Sequence, residues 1–276
     1  MKICIIGYSG FLGSYILKKL SKRFFIIKIN LREMPEFDDK NFKNFLNKFN
    51  KSNIIINCAA VLKPRSKRDF FINQDFPKTL SLHMKKRKKN FLFIHMSTIN
   101  VLIKDRKDSY TISKRIAEKK LLNTNTTILR LPLLIKKKNG FIQKGGNLSM
   151  LFNYLNLNFL PFYPMIFPGH TFKPVTLDNI IRLINKIILK KNKTKKLYNV
   201  SGKNKKTLWD LFKEIAKYEN KKIIKLNLSK FIQFLPSFFK ESLKKSPNFL
   251  QQLLTIDNSK YTEKKNYIIK ITNLAI

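Results

Sequence analysis

Cysteine is scarce in this sequence. Cys4 and Cys58 are the two present, and both fall in apolar runs that read as buried strands. They read as apolar filler in a reducing compartment. No Cys/His cluster has metal-ligand spacing, so no metal is expected. No run of about 18 apolar residues occurs, which argues against a transmembrane helix. The first residues read as a strand and not as a charged-then-apolar leader, so no signal peptide is expected and the chain is placed in the cytoplasm. Internal repeats and low-complexity linkers are also missing. Acidic residues are few: 16 Asp and Glu stand against 57 Lys and Arg, a net charge of +41. Such a balance suits a nucleic acid or an anionic membrane surface. The lysines, however, are scattered through every segment together with Asn, Ile and Phe, which points to a composition-wide bias. With no basic stripe and no nucleic-acid module, no specific nucleic-acid partner is expected, although a basic surface favours phosphorylated substrates. At 276 residues, 43% of them hydrophobic, the chain suffices for one large domain or one domain with a smaller appendage.

The stretch Lys2 to Ser14, KICIIGYSGFLGS, organises the rest. A short apolar run meets Gly7, with Gly10 and Gly13 at three-residue intervals. Leu12, Ile16, Leu17 and Leu20 then recur at helical spacing. This reads as strand, tight turn and helix start, a geometry that brings backbone N–H groups and a helix N-terminus up to a pyrophosphate. The spacing is G-x-x-G-x-x-G and not the commoner G-x-G-x-x-G. The alternative is a joint that uses glycine for geometry alone.

Further strands read at Phe24–Ile29, Ile54–Asn57, Phe91–Met96 and Thr126–Leu131. The second ends at Asn30, followed by Leu31 and Arg32, where a dinucleotide site commonly carries an acidic ribose ligand. Without that carboxylate a 2′-phosphate is tolerated, so NADP is favoured slightly over NAD. Arg32 is either its contact or one more solvated charge. Asp38 reads as the cap of a helix with Phe42, Phe45, Leu46 and Phe49 on its apolar face. Asn57-Cys58-Ala59-Ala60 closes the third strand with small residues that let a ligand approach, or that simply pack tightly. A single helix is expected from Asp69 through Leu82, with Asn73 on its surface. Lys85 to Lys89 reads as a solvated helix end. Ser97 and Thr98 follow the fourth strand, at the end where sites in open α/β sheets collect. Tyr110 and Lys114 are four apart on the next helix and share a face. A lysine ammonium beside a phenol favours phenolate, so this tyrosine can exchange a proton near neutral pH. Strands alternating with helices through Leu131 argue for a parallel, doubly wound sheet.

Taken in order, the glycine turn, NCAA, Asn73, Ser97-Thr98, Y-x-x-x-K and Leu129-Arg130-Leu131-Pro132 resemble the extended short-chain dehydrogenases/reductases. More narrowly they resemble the NAD-dependent epimerase/dehydratase group that acts on nucleotide sugars. The likeness continues through Phe172 to Asn179, Leu197 to Gly202, and a helix from Thr207 to Tyr218 with Thr207 as its cap, so that it covers roughly residues 1–265. The resemblance implies a Rossmann-type α/β fold: an NAD(P)-binding domain over 1–135 and a smaller substrate-binding lobe over 136–276, some of whose segments return to the sheet. It implies a cofactor, NADP or NAD, against Gly7, Ser9, Gly10, Phe11, Leu12 and Gly13, Asn30 and Arg32, Ala59 and Ala60, and Tyr110 and Lys114. It makes Thr98 the group that binds the substrate oxygen, with Ser97 as fallback. Tyr110 becomes the acid/base, Lys114 the residue that lowers its pKa and holds the nicotinamide ribose, and Asn73 a support for an active-site water or the sheet. A homodimer is common in the family. Polysaccharide biosynthesis is an analogy at the level of the fold.

Three positions depart from the family pattern. His-Val-Asp-Asp has become Pro174-Val175-Thr176-Leu177-Asp178, the Thr98–Tyr110 loop is short, and the acidic ribose ligand is missing. The short loop argues against a dehydratase. Gly140, Gly145 and Gly146 suggest a mobile loop. Leu160 to Gly169 is apolar and proline-rich, either beside a substrate or packed over the core. His170 reads as structural. Lys230 to Lys244 is apolar and basic, either a packed helix or a segment that associates weakly with an anionic membrane. The reading is a nucleotide-sugar reductase or epimerase. Its alternatives are a cofactor-binding protein without turnover and, behind that, a basic membrane- or nucleic-acid-associated protein.

Overall fold

The computed structural model describes residues 1–37, 40–87, 90–122, 124, 126–157, 161–166, 169, 171–189, 197–226 and 268–270. Asp38, His170, the 230–244 segment and most of the tail, all singled out in the sequence, lie outside these residues. The chain forms two compact units. The first comprises Met1–Leu131 and Leu177–Val200, the second Pro132–Thr176 and Ser201–Ile276.

The first unit is built on parallel strands β1 (Lys2–Ile6), β2 (Phe25–Ile29), β3 (Ile54–Asn57), β4 (Leu92–Thr98), β5 (Thr126–Leu131) and β11 (Leu197–Ser201). Their order is β11-β5-β4-β3-β1-β2. Every pairing among them is parallel. Parallel strands covered on both faces read as continuous apolar runs, and β3 and β4 are buried along their whole length. The direction of winding reverses at β1, whose neighbours are β2 on one side and β3 on the other. In open α/β sheets such a reversal opens a crevice at the carboxyl ends of the strands.

Helix α1 (Phe11–Leu20) buries Gly13, Ile16 and Leu20. It is pinned to α7 (Leu177–Leu189) through Asp178, which accepts from Tyr15 Oη at 2.7 Å and pairs with Lys19 at 3.2 Å. An aromatic cluster fills one side: Phe42, Phe45 and Phe49 from and just after α2 (Lys40–Asn47), with Phe76. The single helix expected from Asp69 to Leu82 is two helices, α3 (Lys67–Gln74) and α4 (Phe76–Arg87). Pro77 has no N–H to return to the carbonyl of Asn73, and its ring crowds that carbonyl. The cap of α3 is Ser66, which exchanges hydrogen bonds with Asp69 in a capping box.

In the second unit, β6 (Leu134–Lys138) and β7 (Phe141–Gln143) pair antiparallel. Asn139 (φ 51°) and Gly140 (φ 82°) join them. Gly140 therefore belongs to a tight hairpin of the Asn-Gly kind and not to a mobile loop. β8 (Tyr163–Ile166) runs parallel to β13 (Ile223–Leu226). Tyr163 is buried and donates to Leu157 O at 2.7 Å, which makes this part of the proline-rich stretch packed structure. Two-residue strands β9 (Thr171–Phe172), β10 (Val175–Thr176) and β12 (Lys206–Thr207) complete its sheets. α6 (Ser149–Leu155) and α8 (Leu208–Tyr218) supply Phe152, Leu155, Trp209 and Phe212 to the core. Thr207 caps α8 in a second capping box, with Asp210. Thr207→Ala is expected to cost about 1 kcal/mol in a urea unfolding curve. Among the described residues no helix is long and apolar enough to cross a membrane. None of them groups three or more His, Cys, Asp or Glu that could hold a metal ion.

Candidate active site

The three glycines of the turn have different duties. Gly7 has φ +74°, and a Cβ there would lie 2.7 Å from Ala59 N. A Cβ on Gly13 would lie 2.1 Å from Gly7 O. Both are required by the protein's own backbone, which closes the β1 turn onto the end of β3 and draws α1 in against it. Gly10 is different: its Cβ would meet only Gly7 O, at 3.4 Å. It is the N-cap of α1 and supplies no side-chain hydrogen bond. An uncapped helix start with open space beside it fits an anionic pyrophosphate. Ser9 and Gly10 are exposed there, and Phe11 and Leu12 half-buried.

At the end of β2, Asn30 does not reach outwards. Its Oδ1 accepts from Arg32 N at 3.0 Å and starts a 3-10 turn. Arg32 is exposed and makes no ion pair among the described residues. Ala59 and Ala60 are half-buried beyond β3.

Ser97 and Thr98 separate cleanly. Ser97 Oγ donates to Glu118 Oε1 at 2.5 Å, inside a buried network in which Glu118 is gripped by Arg130. That commits the Ser97 hydroxyl proton to Glu118. Thr98 Oγ1 accepts from Asn100 N at 3.3 Å and still carries a proton to donate. Asn73 is buried and makes three hydrogen bonds, contrary to its expected surface position. It accepts from Val61 N at 2.9 Å and donates to Val61 O at 2.9 Å and to Ser113 Oγ at 3.0 Å. It clamps the loop after β3 to α5 (Ser109–Leu121).

Asp108 caps α5, accepting from Thr111 N at 2.9 Å. Tyr110 in the first turn is half-buried, and its phenol is pushed up to about 12 by burial and by the nearby Asp108, with Arg106 acting against them. It therefore holds its proton at neutral pH. Lys114 is buried and turned to the sheet. Its Nζ donates to Met96 O at 2.7 Å and lies 3.3 Å from His95 Nε2. Among the described residues the hydrogen bonds of Lys114 thus go to β4 and not to the Tyr110 phenol.

Burial lowers Lys114 from 10.5 to about 8, with Glu118 and then Cys58 acting in the opposite direction. Between these values the unfolded chain binds the extra proton, so this group's contribution to stability rises with pH. The full penalty applies below about 8 and is gone above 10.5. Lys114→Met is expected to gain on the order of 1–3 kcal/mol at pH 7, less the loss of the bond to Met96 O. Urea unfolding at pH 7 and near pH 10 checks that the advantage fades. Sequence reasoning missed His95 and the side chain of Asn57. The available signal was a lone histidine inside the apolar run Phe91 to Met96. A separate cleft of about 680 Å³, lined by residues including Phe37, Phe71, Arg65 and Lys67, contains none of the candidate residues.

No protein-family model and no curated protein matches the chain. Solved structures do. A dTDP-4-dehydrorhamnose reductase from Clostridium acetobutylicum is 21% identical, with a TM-score of 0.65 over 82% of this chain and 84% of that one. One from Bacillus anthracis, in complex with NADP, is 17% identical, with a TM-score of 0.62 over 83% and 85%. A UDP-glucuronic acid 4-epimerase from Bacillus cereus, in complex with UDP-glucuronic acid and NAD, is 19% identical, with a TM-score of 0.62 over 82% and 86%. At such identities the likeness is one of architecture, and it shows that the chain carries a Rossmann-like α/β fold in common with these structures.

Proposed function

We propose that the chain is an NAD(P)-dependent oxidoreductase acting on a nucleotide-activated sugar, in the reductase direction. The observation that carries this reading is one of placement. The uncapped start of α1, the Asn57–Ala60 turn and Thr98 all stand at the carboxyl ends of parallel strands beside the winding reversal, with Tyr110 on the helix that follows. The nucleotide would lie against Gly7, Ser9, Gly10, Phe11, Leu12 and Gly13, with Ala59 and Ala60 at its side. When bound, the nicotinamide supplies hydride exchange at a sugar carbon. Thr98 orients the sugar oxygen. Tyr110, protonated at neutral pH, gives its proton to that oxygen as a ketone becomes an alcohol. The protonated phenol is the state from which reduction starts. NADP is preferred because Asn30 is spent on its own turn and Arg32 stands exposed. The dTDP-sugar and UDP-sugar enzymes among the structural neighbours support the substrate class. A homodimer and a cytoplasmic setting belong to the same reading.

The test is consumption of NADPH that depends on a nucleotide-linked keto sugar. Oxidation in its presence alone supports the reading, and none with a panel of dTDP- and UDP-linked keto sugars contradicts it. A second reading, cofactor binding without turnover, is favoured by one observation: Lys114 engages His95 and Met96 and not the phenol. It predicts nucleotide binding without NADPH consumption.

A further inference from the structure

Polar groups run in line beneath the candidate site, and their polarity can be read from one end. The Ala59 N–H can only donate, and it lies 3.1 Å from Asn57 Oδ1. This fixes the amide, so Asn57 Nδ2 is the atom 3.3 Å from His95 Nδ1. An amide NH2 can only donate, so Nδ1 accepts. His95 is buried, and burial followed by the nearness of Lys114 holds its pKa well below the usual histidine value. The ring is neutral, and its one proton is on Nε2. Nε2–H then faces Lys114 Nζ at 3.3 Å. An ammonium has no lone pair to receive it. A neutral amine does, and it still donates to Met96 O at 2.7 Å. In the opposite polarity an ammonium would donate to a bare Nε2 and move the ring proton to Nδ1. There it would meet the Asn57 NH2 donor to donor in a buried place, which forfeits a hydrogen bond that nothing replaces.

We infer that Asn57 and His95 are positioning residues that favour the neutral amine of Lys114 over its ammonium in the free chain, through a hydrogen-bond chain anchored on the Ala59 N–H. The other groups around Lys114 are consistent with this. From beyond β3, Cys58 has a thiol pushed up to about 12 by burial, so it is uncharged. Along α5, Glu118 favours the ammonium, but Arg130 from β5 neutralises it at 2.9 Å. From α3, Asn73 is uncharged and committed to Val61 and Ser113. Only the use of Lys114 in catalysis rests on the proposed function. In that use, the lysine acts as a cation beside Tyr110 against the preference of this chain for the amine.

The test is nitrogen-15 NMR of the full chain without ligand, with histidine and lysine labelled. The sequence has three histidines, and His95→Phe identifies the signal of His95. At about pH 8.5 ordinary lysines remain ammonium, so a neutral amine stands apart, and Lys114→Met assigns it. The expected result is the Nε2–H tautomer at His95 and a neutral amine at Lys114. An Nδ1–H ring, or an ammonium at Lys114 at that pH, overturns the inference. Asn57→Asp offers a second oxygen to Nδ1, so it is expected to move the ring proton to Nδ1 and restore the ammonium. An unchanged tautomer in that variant contradicts the chain, and the unsubstituted protein decides the matter if the variant does not fold. A protein that shows the predicted spectra but binds no nicotinamide nucleotide loses the proposed function and keeps this inference.

Discussion

Tyr110→Phe lowers turnover by roughly 10²–10⁴-fold, the usual worth of a positioned acid/base, with substrate KM little changed. The phenol oxygen makes no hydrogen bond among the described residues that the fold would lose with it. The ring stays, so the half-buried packing at the start of α5 is kept and the unfolding midpoint is expected to hold. The effect is therefore chemical and not structural, and a steady-state assay beside a urea melt separates the two. Near-wild-type turnover in the variant removes Tyr110 from the mechanism. Because the phenol stands near 12 in the free chain, activity is not expected to fall on its account until the pH is well above neutral.

Gly10→Ala and Gly13→Ala, three residues apart, are expected to fail in different ways. A methyl on Gly13 would sit 2.1 Å from a backbone oxygen, where no side chain can swing aside. The helix must move or the turn must open, and the cost is at or above the ~1–3 kcal/mol of ordinary overpacking. A methyl on Gly10 meets the protein only at 3.4 Å and leaves the fold near its normal stability. It does, however, occupy the space the reading gives to a pyrophosphate, and nucleotide affinity is expected to drop at least tenfold. Unfolding curves and cofactor titrations of the two variants check this crossing of effects. Loss of stability without loss of affinity in Gly10→Ala would place the nucleotide elsewhere.

Much of the architecture is local in origin and could be read from sequence. The apolar runs of β1, β3, β4 and β5 and the glycine triplet mark strands and the turn because each satisfies a short-range rule. The capping Thr207 is of the same kind. Part of what escaped is also local, and the rest depends on partners far along the chain. Pro77 breaks a helix whose apolar spacing alone looks continuous. Gly140 reads as a loop until Asn139 beside it is seen to close a hairpin. Asn73 is buried only because Val61 and Ser113 come to it from two other elements. The pair Tyr110 and Lys114 shows the limit most clearly. Four-residue spacing puts both on one face, but it does not say that Met96 O and His95 will claim the lysine. Ser97 and Thr98 likewise look equivalent in sequence, and Glu118, twenty-one residues after Ser97, tells them apart.

The central claim is that the turn of β1 and the start of α1 bind a nicotinamide dinucleotide that the chain uses and releases. The most direct measurement is a fluorescence titration of the purified chain with NADPH and with NADH, after denaturing a sample to look for nucleotide carried through purification. The account predicts a chain free of bound NAD that takes up NADPH more tightly than NADH, with the preference lost in Arg32→Ala. NAD retained at close to one per chain would contradict the reductase reading, and binding of neither nucleotide would contradict the site itself.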